Sequence, residues 1–478
     1  FRSFKAWVRE TYSNRLLIID EAHNIRPKAD VGTEKAITAS VEKLVKYADG
    51  LILVLLTATP MYESYDEILL YFNLFLWNDR RPENATRPLL ASDFFDANAN
   101  LKDGKRELFE RLCQDYVSFI KGDSPFTFPF RLPPPPSTSP PLTLTWTGER
   151  YTKPLQVLTL VESEASGLQA AVLQKEKGQD DDEKRRLLMQ PTVAVLPNNA
   201  TLETTFRLQG TQWAYTGEPF LGPGSLGQHS AKFARVIKSI ETGEGIVFVY
   251  SNYVKMGAEL FAMALEEHGY GPVSGPALLS NPAYKGPSKG SYALLTSTRT
   301  EKQIAKLVSQ ARSESNRDGG KIRVIISSPL VAEGVDFRCV RQAHILDPWW
   351  NMSRIEQIVG RSLRTCSHTL LTNEKQNCTV YLHVVRTPDG KECYDEYTYR
   401  TKVVPKAERI AKVRSVLELG GRAGEGDVRK RGHRANISIQ EDVTREGEQA
   451  VVGLKADAQV ANFEQRGRHH LVPPDLRL

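Results

Sequence analysis

Short runs of apolar residues that end in polar side chains recur along this chain of 478 residues. The first run covers residues 16–19 and is followed by Asp20 and Glu21, and the second covers residues 51–56 and is followed by a threonine. Continuous apolar runs of this length are typical of strands in parallel sheets. Between them, residues 35–47 carry apolar side chains at helical spacing, which predicts the crossover helix that joins two parallel strands.

The same alternation returns in the second half of the chain. Four strand-like runs, residues 245–250, 321–327, 342–346 and 379–385, alternate with helical patterns such as residues 255–268. Alternation of strands and helices predicts a parallel sheet with helices on both faces. The fold class that we predict is therefore α/β, with two lobes that are each built on a parallel sheet.

The polar residues that follow the first two strands are candidate site residues, because open α/β sheets bind ligands at the carboxyl ends of their strands. Asp20 suits a Mg²⁺ ion held largely through water, and Glu21 suits orienting and deprotonating an attacking water molecule. Thr57 and Thr59 are expected beside them, where hydrogen bonds can link this edge to the second lobe. An ordinary turn after a strand is the alternative for the two threonines.

A second candidate feature is the pair Arg361 and Arg364, which stand three residues apart. On a helix, residues at this spacing lie on one face, and two guanidinium groups on one face can neutralise charge on a transferring phosphoryl group. A solvated surface pair is the alternative. Trp349 and Trp350 lie shortly before, and packing and base stacking both remain open for them.

Four stretches, taken in chain order, resemble motifs II, III, V and VI of the superfamily 2 helicases. They read Asp20-Glu-Ala-His23, Thr57-Ala-Thr59, Ser328-Pro-Leu-Val-Ala-Glu-Gly334-Val-Asp336 and Gln357-x-x-Gly360-Arg361-x-x-Arg364. Residues 122–131 and 348–368 are similar to the transcription-associated helicases of large nucleocytoplasmic DNA viruses. That group includes the poxvirus early transcription factor small subunit and nucleoside triphosphatase I. The resemblance covers about residues 1–415.

The resemblance implies two RecA-like lobes with ATP and Mg²⁺ between them, and DNA or RNA as the partner. A role in viral-type transcription, with an RNA polymerase or transcription factor subunit as a further partner, is also implied. The residues implied to be catalytic are Glu21, Arg361, Arg364 and Gln357, with Gln357 orienting its helix or the water. Those implied to bind the cofactor are Asp20, His23, Thr57, Thr59, Gly334, Asp336 and Gly360, and Asp20 would hold the metal.

Three further residues are implied to contact nucleic acid, namely Ser251, Asn252 and Ser328. Ser251 and Asn252 follow a predicted strand, where the family has its motif IV, and a simple helix cap explains them equally well. Gly334 and Asp336 would sense the nucleotide and couple it to the nucleic-acid groove.

One feature of the family is missing from the sequence. No Gly-x-x-x-x-Gly-Lys-Ser/Thr phosphate loop occurs in the 478 residues, and only nineteen residues precede Asp20. We therefore expect an N-terminally incomplete first lobe with weak nucleotide binding, and we expect the ATPase activity to belong to the full-length parent. The alternative is a truncated nucleic-acid-binding remnant that does not hydrolyse ATP.

Proline and charge patterns divide the chain into four predicted regions. Residues 1–130 are the partial first lobe, and residues 131–230 are a proline-rich linker and an inter-lobe insertion. Residues 231–418 form the second lobe, and residues 419–478 form a mixed-charge, disordered tail.

Composition adds little to these predictions. The net charge of +6 is compatible with nucleic acid without being diagnostic, and the five cysteines have no Cys-x-x-Cys spacing that would suggest zinc. No apolar run is long enough to span a membrane. We expect an intracellular protein, with the nucleus, a cytoplasmic viral factory and the virion as the open alternatives.

Overall fold

The computed structural model describes residues 3–26, 32–120, 128–136, 141–152, 155, 157–176, 178, 184–280, 286–329, 335–423 and 437–440. Within them the chain forms a five-stranded sheet, an eight-stranded sheet and a two-stranded hairpin. All strand pairs in the two larger sheets are parallel. This architecture confirms the predicted α/β class with two parallel sheets.

The strands, in chain order, are β1 Leu16–Ile19, β2 Ile52–Leu56, β3 Val117–Ile120, β4 Phe130–Leu132, β5 Leu160–Glu164, β6 Phe206–Gln209, β7 Gln212–Tyr215, β8 Ile246–Tyr250, β9 Tyr270–Pro272, β10 Gly290–Leu295, β11 Val324–Ser327, β12 Val340–Ile345, β13 Asn377–Arg386, β14 Arg422–Ala423 and β15 Ile437–Gln440. The first sheet has the order β1-β2-β15-β3-β14, and the second has the order β4-β13-β12-β8-β11-β10-β9, with β5 also paired to β13.

The helices are α1 Phe4–Tyr12, α2 Gly32–Tyr47, α3 Ile68–Asn78, α4 Ala91–Phe94, α5 Asp103–Tyr116, α6 Gly167–Lys175, α7 Arg185–Val193, α8 Leu202–Thr205, α9 Leu226–His229, α10 Ala231–Thr242, α11 Leu260–Glu267, α12 Glu301–Arg312, α13 Met352–Gly360, α14 Tyr394–Thr398 and α15 Val404–Gly420. Helix α2 connects β1 to β2, as the spacing of residues 35–47 predicts. Two π-helical turns, Val254–Glu259 and Tyr399–Val403, precede α11 and α15.

The second sheet is covered on both faces. Along β8, Ile246, Phe248 and Tyr250 belong to one hydrophobic cluster, and Val247 and Val249 belong to another. Successive side chains of a strand point to opposite faces, so this division means that an apolar layer lies on each side of the sheet. The run 245–250 reads as continuously apolar for this reason.

In the described part of the chain, the first sheet is not covered on both faces at its edge strand, β1. Leu17 and Ile19 pack against the core of the first sheet, whereas Leu16 and Ile18 are 58% and 54% exposed. We predicted β1 as a buried strand from its unbroken apolar run. Among the described residues, only one face of β1 is covered.

The structure also differs from the predicted domain boundaries in the middle of the chain. Strands β4 and β5 lie within the predicted linker and insertion, residues 131–230, or at its border, yet both pair with β13 in the second sheet. Strand β13 has ten residues, which is long enough for β4 to pair with its first part and β5 with its last part. Part of the predicted insertion is therefore part of the second sheet.

Helix α15 spans the two cores. Val404 and Ala407, in its first turns, pack in a core of the second sheet. Ile410, Val413 and Leu417 follow at helical spacing and are buried in the core of the first sheet. We predicted that the second lobe ends at residue 418, but the apolar stripe of α15 attaches its last turns to the first unit.

Two strands come from the region predicted as a disordered tail, residues 419–478. Strand β15 pairs with both β2 and β3, and β14 pairs with β3. These segments therefore extend the first sheet. The other residues of the predicted tail beyond 423 lie outside the described residues.

Candidate nucleotide and inter-unit site

Asp20, Glu21 and Thr57 emerge at the same edge of the first sheet. Strands β1 and β2 pair in parallel, with Leu16 opposite Ile52 and Ile19 opposite Leu55. Both strands therefore end at the same level, and the residues that follow them are neighbours. This placement is the one that the sequence predicts.

The backbone turns sharply directly after β1. Glu21 adopts a left-handed conformation with φ 49° and ψ 49°, which is uncommon for a residue other than glycine. Its amide donates to Oδ1 of Asp20 at 2.8 Å, and its carbonyl accepts from the amide of Asn24 at 2.9 Å. These bonds stabilise a conformation that costs about 1–3 kcal/mol and that clusters at functional sites in proteins.

Asp20 presents an exposed carboxylate at this turn. Mg²⁺ commonly keeps several water ligands and uses one or two protein carboxylates together with substrate phosphates, so a single exposed aspartate fits that ion. No group of three or more metal-binding side chains occurs within the described residues. A metal here would therefore depend on Asp20, water and the phosphates.

His23 is the centre of the site. Its Nδ1 atom lies 3.3 Å from Oε2 of Glu21, 3.1 Å from Oγ1 of Thr57 and 3.3 Å from Oγ1 of Thr59. The imidazole is buried, with 6% of the residue exposed. The structure therefore brings the residues after β1 and those after β2 into one contact network.

Sequence reasoning missed three residues behind His23. The ring of Tyr62 stacks on the imidazole at a centroid distance of 4.9 Å and an interplanar angle of 7°. The guanidinium of Arg26 lies 4.3 Å from the centre of the Tyr62 ring and pairs with Glu67 at 3.2 Å. Arg26 and Tyr62 lie only three residues after His23 and Thr59, but no motif or spacing in the sequence connects them.

The second unit reaches this network through helix α13. Nε2 of Gln357 donates to Oγ1 of Thr59 across 3.4 Å, a long hydrogen bond between the two units. The helix is capped by Asn351 and held by the buried Glu356, which pairs with Arg131 of β4 at 2.8 Å. The link from the threonines to the second lobe, which we expected from the sequence, is present at Thr59.

The helix that was predicted to display both arginines ends before them. Helix α13 stops at Gly360, and Arg361 occupies its C-cap position. The carbonyl of Arg361 accepts from the amide of Phe337 at 2.8 Å, and Nε of Arg364 donates to the carbonyl of Gly360 at 3.3 Å. The two arginines therefore leave the helix end in a turn, and the prediction of one shared helical face is wrong.

Ser251 and Asn252 follow β8 but serve an internal contact. Both side chains donate to the carboxylate of Asp347, at 2.6 Å from Ser251 and 2.6 Å from Asn252. Burial raises the pKa of Asp347, while these hydrogen bonds oppose the shift. Ser251 and Ser328 were predicted to contact nucleic acid. Their residues are 1% and 0% exposed, so neither side chain is accessible to a nucleic-acid strand in this structure. Asn252 is half-buried, and its predicted role is untested.

Two further candidates, Asp336 and Gly334, belong to the nucleotide-sensing prediction. Asp336 pairs with Arg312 of α12 at 3.1 Å. Gly334 lies outside the described residues. The predicted nucleotide-sensing role of these two positions stays a prediction.

The adjacent tryptophans stack on each other. The rings of Trp349 and Trp350 are 3.7 Å apart, with Arg354 4.0 Å from Trp349 and Arg185 of α7 4.4 Å from Trp350. Both residues are half-buried. Ring stacking and two cation–π contacts give the two tryptophans similar surroundings, and the possibility of base stacking stays a prediction.

Comparison with known families finds a match within the second unit. Residues 231–366, which contain most of the second sheet and α13, match the family described as helicase conserved C-terminal domain. The chain is related to the superfamily 2 helicases of large DNA viruses.

Individual relatives come from several such viruses. A protein of Acanthamoeba polyphaga mimivirus, named as a candidate ATP-dependent RNA helicase, is 28% identical over 80% of this chain and 62% of its own length. A candidate helicase of Invertebrate iridescent virus 3 is 27% identical over 79% of this chain and 36% of its own length. An early transcription factor large subunit homolog of African swine fever virus is 24% identical over 83% of this chain and 39% of its own length. The chain thus spans less than two thirds of these relatives.

Proposed function

We propose that this chain is part of an ATP-dependent nucleic-acid motor, a helicase or translocase that serves viral-type transcription. The contact path from Glu21 through His23 and Thr59 to Gln357 carries this proposal. It joins the acidic edge of the first sheet to helix α13 of the second unit. Such a path can couple chemistry at one unit to movement of the other.

Glu21 and three residues near the two ends of this path have separate proposed roles. Bound Mg-ATP would supply the phosphoanhydride bond whose hydrolysis drives the motor. Asp20 would hold the metal, and Glu21 would orient the attacking water and accept its proton. Arg361 and Arg364, at the end of α13, would supply positive charge to the transferring phosphoryl group.

Two features would be involved in a movement of the two units relative to each other, namely helix α15 and the hydrogen bond between Gln357 and Thr59. Helix α15 is packed in both cores and can serve as the connection about which the units shift. The hydrogen bond from Gln357 to Thr59 is long and joins the two units. It would therefore form or break when the two units move together or apart.

Three observations favour nucleic acid and a transcription protein as partners. The name of the mimivirus relative describes an RNA helicase, and the name of the African swine fever virus relative describes a transcription factor subunit homolog. The mild net charge of +6 is compatible with a DNA or RNA partner. We therefore propose an RNA polymerase or transcription factor subunit as a second partner, and an intracellular location. Every helix in the described part of the chain is too short or too polar to cross a membrane.

The test uses a protein extended upstream to include the expected phosphate loop. Glu21→Gln should bind ATP yet hydrolyse it at least about a hundredfold more slowly, because a general base commonly contributes a rate factor of at least that size. Nucleotide titration measures the binding, and steady-state phosphate release measures turnover. Near-normal turnover in this variant would remove Glu21 from its proposed role.

A second candidate function is a nucleic-acid-binding remnant that hydrolyses no ATP. The observation that favours it is the lack of a phosphate-loop sequence in the 478 residues. The genomic DNA upstream of the Phe1 codon separates the two functions. An in-frame phosphate loop there supports the motor, whereas a nearby start codon supports the remnant.

A further inference from the structure

Behind His23, three side chains that none of the helicase-like motifs includes form a buried cluster with it. Its members are His23, Arg26, Tyr62 and Glu67, and the first three are 6%, 5% and 9% exposed. Arg26 donates to the carbonyl of His23 at 2.6 Å and pairs with Glu67 at 3.2 Å. Glu67 also accepts from the amide of Tyr62 at 2.6 Å. Each member is therefore fixed by at least two others.

We propose that Tyr62 and Arg26 are positioning residues that hold the imidazole of His23 against Glu21. Tyr62 does so by flat stacking on the imidazole, and Arg26 does so through the Tyr62 ring and the His23 carbonyl. The catalytic part of this inference rests on the proposed ATP hydrolysis, because it makes the placement of Glu21 depend on these two residues.

The proposal fixes the tautomer of His23. A carboxylate can only accept hydrogen bonds, so a hydrogen bond from His23 to Oε2 of Glu21 needs the neutral imidazole to carry its proton on Nδ1, whereas the hydroxyls of Thr57 and Thr59 can either accept from Nδ1 or donate to it. In this proposal the contact with Glu21 decides between the two forms. A neutral histidine that is free in water favours the proton on Nε2. The ring must therefore be held in place for the Nδ1 form to dominate.

The bond from Gln357 to Thr59 gives the second unit an approach to a side chain that touches His23.

The test on the 478-residue chain is histidine NMR, which needs no hydrolysis. The ¹⁵N shifts of His23, assigned with His23→Asn, should show the Nδ1-protonated tautomer in the wild type and in Tyr62→Phe. Tyr62→Leu and Arg26→Gln should shift the population toward the Nε2-protonated form. Tyr116→Leu is the matched control, because Tyr116 is also a buried tyrosine and stacks on Phe75 at 5.0 Å and 5°. The control should lose stability without altering His23.

The kinetic test uses the extended protein. Tyr62→Leu should lower kcat roughly tenfold, a fraction of the roughly 10²–10⁴ that a general base contributes, with KM changed less than about twofold and with recovery in Tyr62→Phe. An unchanged tautomer in Tyr62→Leu, or a normal kcat in an active protein, overturns the proposal. If the wild type does not hydrolyse ATP, the proposed function fails, and the NMR result still decides whether His23 is positioned in this way.

Discussion

The buried ion pair between Lys232 and Asp395 offers the sharpest test of the second unit. Both side chains are 0% exposed, and Nζ lies 2.6 Å from Oδ2. Lys232 also donates to the carbonyl of Leu346 at 2.7 Å, directly before Asp347. Asp395 accepts from the amides of Val385 and Glu396 at 3.0 and 2.8 Å. The pair therefore ties α10, α14 and the ends of β12 and β13 together.

Lys232→Met leaves the carboxylate of Asp395 buried with two amide donors and no cation. Breaking a buried pair by removing one partner costs about 3–5 kcal/mol. For a unit of 150–250 residues, a loss of that size lowers Tm by roughly 6–20 °C, at about 2–4 °C for each kcal/mol.

The assay is urea unfolding with a double-mutant cycle. The pair Lys232→Met and Asp395→Asn should together cost less than the sum of the two single changes, because the double variant leaves no uncompensated charge. The exposed pair Lys255 and Glu203, at 57% and 56% side-chain exposure, is the control and should contribute less than about 1 kcal/mol. Additive single costs, or a loss in Lys232→Met as small as in the control, would refute this reasoning.

Three further predictions follow from the site and the core. The 478 residues alone should show negligible ATPase, and hydrolysis that survives purification but disappears in Asp20→Ala would contradict this. In the extended protein, Arg364→Ala should lower turnover by about three orders of magnitude with a much smaller change in ATP affinity; an equal loss of affinity would make Arg364 an ordinary binding contact. Burial lowers the pKa of His344 to about 3 and the pKa of His383 well below its usual value, and the two rings are hydrogen-bonded at 2.9 Å. Because unfolding releases both rings to take up protons below about pH 6.5, the contribution of this histidine pair to stability should be constant above that pH and should fall toward pH 3, by up to about 1.4 kcal/mol for each pH unit and histidine; a double variant His344→Asn and His383→Asn whose urea midpoint changes between pH 7 and pH 5 just as that of the wild type does would contradict it.

Local patterns determined the elements that carry the site. The apolar runs before Asp20 and Thr57 predict β1 and β2, because parallel strands are apolar on both faces. The helical spacing of residues 35–47 predicts α2, and together these elements fix a shared carboxyl edge. The sequence by itself therefore placed Asp20, Glu21 and the two threonines beside one another.

Only the tertiary structure decided what surrounds these residues. The stacking of Tyr62 on His23, the pairing of Arg26 with Glu67 and the packing of α15 in both cores depend on segments that meet only after folding. The end of α13 at Gly360 was also missed: glycine is a poor helix former, but the arginines and the leucine after it are good helix formers and favour a longer helix. Sequence periodicity reports which face of an element is apolar, whereas contacts between elements distant in the chain depend on how those faces pack.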